Sequence, residues 1–149
     1  MQKIFKEAVF MLEGFVKIPI LKGNSFMSVT ENGLHFSGKA VFHMQKATCV
    51  QFFVNESTKQ IAIQKCNKNA EDAISFYRSE KNLKNGVHFN NSEMLQMICQ
   101  MMDWDISSFN FRIEGKFFEE SQAMTFDLNT AKITKKKKRK ASNQEQETF

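Results

Sequence analysis

The chain has 149 residues, of which 42% are hydrophobic and 25% charged, with a formal net charge of +5. That length suits one compact domain, or two small halves sharing a core, and no stretch nears the ~18 uninterrupted apolar residues of a membrane span. Cys49, Cys66 and Cys99 are an odd number at wide spacings with no CxxC, which fits reduced, structural thiols in a cytoplasmic compartment.

The positive charge is localised. Residues 132–140, "KITKKKKRK", hold seven cations, while residues 1–131 balance 14 basic against 14 acidic groups. Within that neutral body the charge is uneven along the chain: residues 1–88 are net +5 and residues 89–131 net −5.

Residues 1–23 start with Ile4, Phe5, Ala8, Val9, Met11 and Leu12 at helical spacing. They predict an amphipathic helix ending near Gly14, which covers the core or docks on a partner. An extended arm follows, placed at a sheet edge by Pro19, and there is no secretory h-region.

Residues 24–66 and 84–131 share a phrase. Asn32-Gly33-Leu34-His35-Phe36 recurs as Asn85-Gly86-Val87-His88-Phe89, 53 positions later. Asn-Gly predicts a primed hairpin turn with positive φ at both residues, leading into a short strand. A polar cap follows each phrase, Ser37 and Asn90, with Glu93 at capping-box spacing from the second. Val41, Phe42 and Met44 then correspond to Met94, Leu95 and Met97 on a helix. The methionine stripe at this spacing reads as core, with a promiscuous binding surface as the alternative.

Past each helix the apolar period becomes two. "CVQFFVNESTKQIAIQ" predicts two strands around a turn at residues 55–58, and "FNFRIEGKFFEESQAMTFDL" predicts two more, with Gly115 breaking the first. Residues 67–83 predict a connecting helix capped by Asn69 and carrying Ala70, Ala73, Ile74 and Tyr77. Residues 132–149 predict a disordered lysine-rich tail.

The chain therefore reads as α+β: two tandem βαββ-like repeats packed as an intramolecular pseudo-dimer, with an N-terminal helix and a basic tail. Leu34, Phe36, Val41, Met44, Phe52, Ile61, Val87, Phe89, Met94, Met97, Phe111 and Met124 are expected in one core.

Chemistry-bearing motifs are sparse. His35 and His88 read as exposed strand histidines, because no companion ligand stands at HxxxH or HExxH spacing. Asp103 and Asp105 around Trp104 read as a helix exit with a buried indole. There is no GxGxxG, GxxxxGK[ST] or GxSxG, and Cys49 has no basic neighbour nearer than Lys46. No enzyme, metal site or cofactor is expected. Lys135, Lys136, Lys137, Lys138, Arg139 and Lys140 are the candidate nucleic-acid-binding residues, a basic arm giving salt-sensitive and sequence-indifferent affinity. The same string has the composition of a nuclear-import signal in a eukaryotic host, or serves only to solubilise.

Residues 26–63, "FMSVTENGLHFSGKAVFHMQKATCVQFFVNESTKQIAI", run strand, turn, extended segment, short helix, strand, strand. In this they resemble the bacterial swapped-hairpin regulators, the AbrB and MraZ-like family. The resemblance implies a DNA-binding transcriptional regulator whose paired copies form one barrel. That family contacts DNA through arginines near the first turn. The equivalent segment here offers only Lys39 and Lys46, so those contacts do not carry over.

The expected function is a non-enzymatic, nucleic-acid-associated regulatory protein. The alternative is a protein-binding accessory or inhibitor working through the charge-bipolar body. The partner is nucleic acid or another protein, not a membrane, with self-association open. The Lys- and Asn-rich style points to an AT-rich phage or mobile-element genome.

Overall fold

A computed structural model describes residues 13–14 and 23–136. The expected N-terminal helix and the extended arm around Pro19 lie outside the described residues, as do Lys137 to Phe149.

The elements in chain order are strands β1 (Phe26–Thr30) and β2 (Gly33–Phe36), helix α1 (Gly38–His43), strands β3 (Cys49–Asn55), β4 (Gln60–Lys65) and β5 (Ile74–Ser75), and helix α2 (Lys81–Asn85). Strand β6 (Val87–Phe89), helix α3 (Ser92–Met102), strands β7 (Phe109–Phe118) and β8 (Ala123–Asp127), a 3-10 turn at Leu128–Thr130 and strand β9 (Lys132–Lys135) complete the chain. The strands form one antiparallel sheet in the order β5-β3-β4-β8-β7-β1-β2-β6, bent into a half-barrel, with β9 added on β7. The class is α+β.

The recurring phrase has a direct structural consequence. β2 and β6 pair with each other, Leu34 opposite Phe89, His35 opposite His88 and Phe36 opposite Val87. Each glycine takes positive φ, +121° at Gly33 and +81° at Gly86, where a side chain is strained. Each also lies under the partner strand. A Cβ on Gly33 would stand 2.6 Å from the Phe89 carbonyl oxygen, and one on Gly86 would overlap that of Phe36.

The Asn-Gly pairs do not form the expected primed turns. Glu31 and Asn32 close the β1–β2 hairpin with no positive φ at Asn32, and Asn85-Gly86 ends α2.

Period-two alternation turns Met27, Val29, Leu34, Phe36, Ile61, Ile63, Met124 and Phe126 to one side, where they are buried. Phe36 sits at the centre, its ring 5.8 Å from Phe52, 5.5 Å from Phe76 and 5.7 Å from Phe126. All twelve expected core residues lie in or against this cluster, with Phe52, Phe89, Met94 and Met97 half-buried. Ser37 caps α1 by accepting from the Ala40 N–H at 3.2 Å, and its hydroxyl also accepts from the Phe26 N–H at 3.0 Å. One buried oxygen thus ties the helix start to β1.

Four further expectations need correction. Residues 67–83 hold no helix from Asn69. The chain turns there, with Asp72 at φ +59°, so that Ile74–Ser75 pairs with β3 and Phe76 enters the core. The Phe76 and Tyr77 N–H groups bond to the carbonyls of Thr48 and Ala47, which outweighs local helix propensity. The cap of α3 is Asn91, accepting from the Met94 N–H at 2.9 Å, rather than Asn90. Gly115 does not break β7; its missing side chain makes room for Met124 and Phe126. The tail does not begin at Lys132, because Lys132–Lys135 is a strand paired with β7.

Replacing Phe36 by Ala removes the ring that Phe52, Phe76 and Phe126 share, and should cost ~3–5 kcal/mol in denaturant unfolding. Phe89→Ala, at a half-buried position, should cost clearly less. Equal losses would remove Phe36 from the centre of the core.

Candidate nucleic-acid interface

On the outer face of the half-barrel, strand register places residues side by side that the sequence keeps far apart. His88 pairs with His35, His35 with Ser28, Ser28 with Arg112, and Arg112 with Lys132. With neighbouring strands ~4.8 Å apart, this row crosses five strands over about 19 Å. Two permanent cations occupy one end and two imidazoles the other.

Beside the row, Ser28, Thr30, Asn110, Arg112, Lys132 and Thr134 line a groove of about 360 Å³ over Phe111. Hydroxyls, an amide and two cations, with no carboxylate among them, suit a phosphate oxygen rather than a cation. An adjoining hollow of about 370 Å³ shares Arg112 and Lys132 and adds Glu114 as an acidic rim.

Arg112 is exposed but held. Its guanidinium carbon lies 4.0 Å from the centre of the Phe26 ring, a stacked cation–π contact that leaves the N–H edges free. Among the described residues neither Arg112 nor Lys132 is in an ion pair.

The candidate lysines of the tail divide. Lys135 is exposed at the end of β9, opposite Phe109. Lys136 is shielded and pairs with Glu31 at 3.0 Å, so its charge is largely spent within the protein. Its N–H bonds to the Ser108 carbonyl at 3.0 Å, which carries the strand pairing one residue past β9. Lys137, Lys138, Arg139 and Lys140 lie outside the described residues.

Arg112 was the residue sequence reasoning missed. It belongs to the net-acidic stretch, and only alternation along β7 marks it as outward-facing. Lys39 and Lys46 do not join this row; Lys46 instead pairs with Glu80 at 3.7 Å.

The paired histidines are not equivalent. His88 is exposed, with Nε2 at 2.8 Å from the Asn32 carbonyl, to which it donates. His35 is half-buried, and the two ring centres are 6.3 Å apart. Burial first, and then the neighbouring His88, hold the His35 pKa below the ordinary imidazole value.

Elsewhere, chemistry-bearing groups are structurally engaged. His43 Nδ1 hydrogen-bonds Ser25 Oγ and joins α1 to the start of β1. Trp104 is half-buried and stacked on Phe111 at 3.9 Å, with Asp103 as the left-handed cap of α3. Asp105 accepts from the Ser107 hydroxyl at 2.6 Å, a bond that helps lower its pKa. Burial pushes the thiols of Cys66 and Cys99 up, the opposite of what a nucleophile requires. Among the described residues no cluster of His, Cys, Asp and Glu has the makings of a metal site, and no helix is long and apolar enough to cross a membrane.

No protein-family model, curated protein or solved structure matches the chain.

A lowered His35 pKa means that the unfolded chain binds the proton more tightly. His35 therefore costs no stability above its unfolded pKa near 6.5, and stability falls as the pH drops from there through the folded pKa. The melting temperature should decrease between about pH 7.5 and about pH 5.5, and His35→Gln should reduce that decrease. An unchanged decrease in the variant would assign it to other groups, His43 first.

Proposed function

We propose that this protein is a non-enzymatic, cytoplasmic nucleic-acid-associated regulator that binds the phosphate backbone. The row Lys132–Arg112–Ser28–His35–His88 and the cations Lys137 to Lys140 form its contact surface. The observation that carries the reading is the row itself: cations from β7 and β9 held on one sheet face, beside a carboxylate-free groove. Phosphate contacts of this kind give affinity and orientation with little sequence preference.

We further propose that the body is two interleaved copies of one βαββ unit, as in the swapped-hairpin regulators it resembles. Strand pairing supports this reading. Exchanging β1 with β5, β2 with β6, β3 with β7 and β4 with β8 turns the β1–β7 contact into the β3–β5 contact and leaves β2–β6 and β4–β8 as self-pairings. Each first strand then leaves its own copy to pair with the third strand of the other.

The second reading, a protein-binding accessory, draws on Phe53, Val54 and Phe118, which are 47%, 41% and 41% exposed. Its charge argument is weaker than the chain suggested, because β7 and β8, drawn from the net-negative stretch, sit between β1 and β4 in the sheet and balance Arg112 and Lys116 against Glu114 and Asp127.

Each phosphate neutralised on duplex DNA adds ~0.9 to the slope of log affinity against log salt. Six contacts, from Arg112, Lys132 and Lys137 to Lys140, predict a slope of about −5 for the full chain. Deleting residues 137–149, which leaves β9 intact, should reduce it to about −2, and Arg112→Ala with Lys132→Ala to about −3.5. Absence of binding by the full chain at low salt would overturn the phosphate reading and favour the accessory one.

A further inference from the structure

Two imidazoles stand directly opposite each other across β2 and β6, in the same row as Arg112 and Lys132. Their rings are 6.3 Å apart, close enough that an anion lying across the pair reaches both. Imidazole is the side chain that gains charge just below neutrality. On this face it would extend a two-cation row to three or four cations.

We propose that the His35–His88 pair makes phosphate binding at this face proton-dependent, so that the protein binds nucleic acid more tightly as the pH falls below neutrality. The proposal rests on the phosphate-binding reading above and names a regulator of the same surface.

The surroundings favour coupling between proton and anion. The charged or titratable groups on neighbouring elements are Glu31 in the β1–β2 turn, Lys39 and His43 on α1, Lys81 and Lys84 on α2, Glu93 at the start of α3, Arg112, Glu114 and Lys116 on β7, and Lys132 and Lys135 on β9. Among the described residues none forms an ion pair with either imidazole, and Glu31 is taken by Lys136. No carboxylate is therefore in place to neutralise a proton on His35 or His88. In the free protein a proton on His35 meets partial burial and the second ring. A bound phosphate supplies the missing negative charge, so proton and phosphate each strengthen the binding of the other by linkage. The Asn32 carbonyl that accepts from His88 Nε2 fixes that ring on the face.

The test uses the full chain and a short fluorescein-labelled duplex DNA, at about pH 7.5 and about pH 5.5 and constant ionic strength. Wild-type affinity should rise about tenfold on acidification, and the salt slope should steepen by about one, the mark of one added phosphate contact. His35→Asn with His88→Asn should lose the rise, its affinity at about pH 5.5 staying close to its own value at about pH 7.5. His88→Asn alone, a change at an exposed position, should lose part of it and covers the case in which the double variant folds poorly. Wild-type binding that is measurable but pH-independent would overturn this inference and leave the phosphate reading standing. So would a pH response that survives in His88→Asn and in the folded double variant. No binding at either pH would remove both.

Discussion

The pairing of β2 with β6 is the constraint on which the rest of the molecule depends. Only six residues make it, yet its register decides that Leu34, Phe36, Val87 and Phe89 face inward while His35 and His88 face out. A slip of one residue would exchange those sets, burying imidazoles and exposing Phe36. Gly33 and Gly86 hold the register from both ends, since each admits the other strand's backbone where a Cβ would not fit. From Phe36 the consequences run outward: Ser37, the next residue, both caps α1 and bonds β1 through the Phe26 N–H. The same short segment therefore sets the core, the first helix and the sheet.

Much of this was legible in the chain. The period-two runs predicted β3, β4, β7 and β8, and the apolar positions carried by both phrases proved to be core. The extent of the repeat was not legible, for a reason that the pairing registers make plain. On the two-copy reading, Met27 corresponds to Ile74, an offset of 47, because they pair with Ile113 and Val50. His35 corresponds to His88 at an offset of 53, and Val54 and Ile61 correspond to Phe117 and Met124 at 63. Helix α2 stands where the first copy has a two-residue turn, and α3 has 11 residues where α1 has six. A repeat whose offset steps twice leaves only the stretch between the steps recognisable, and that stretch is the phrase. The segment from Asn69 was misread because its helical spacing is real but local. Two backbone hydrogen bonds, the pairing with β3 and the burial of Phe76 outweigh propensities worth only tenths of a kcal/mol per residue.

The candidate site was harder to read than the fold. Its four charged or titratable row members come from both phrases, the net-acidic stretch and the supposed tail. Counting charge along the chain placed all basicity after residue 131 and left Arg112 as one of two cations among seven acids. Charge averaged over sequence cannot register what alternation does: β7 turns Phe111 and Ile113 into the core and presents Arg112 between Ser28 and Lys132. The motif is a row across strands, and a row has no linear spacing to search for.

The order of β9 changes what the basic segment contributes. A cation on a strand has already lost its backbone freedom on folding, so on the phosphate-binding reading Lys132 beside Arg112 meets a phosphate with only its side chain left to order. The Lys136–Glu31 ion pair and the backbone bond to Ser108 then anchor the chain at Lys136, immediately before the remaining cations. On the phosphate-binding reading, once the fixed pair engages, any contact made by the cations after it is intramolecular, with an effective concentration set by the chain that joins them. A free basic arm of the same charge has no such anchor. On the phosphate-binding reading, the sheet face orients the nucleic acid and the segment beyond it adds the affinity.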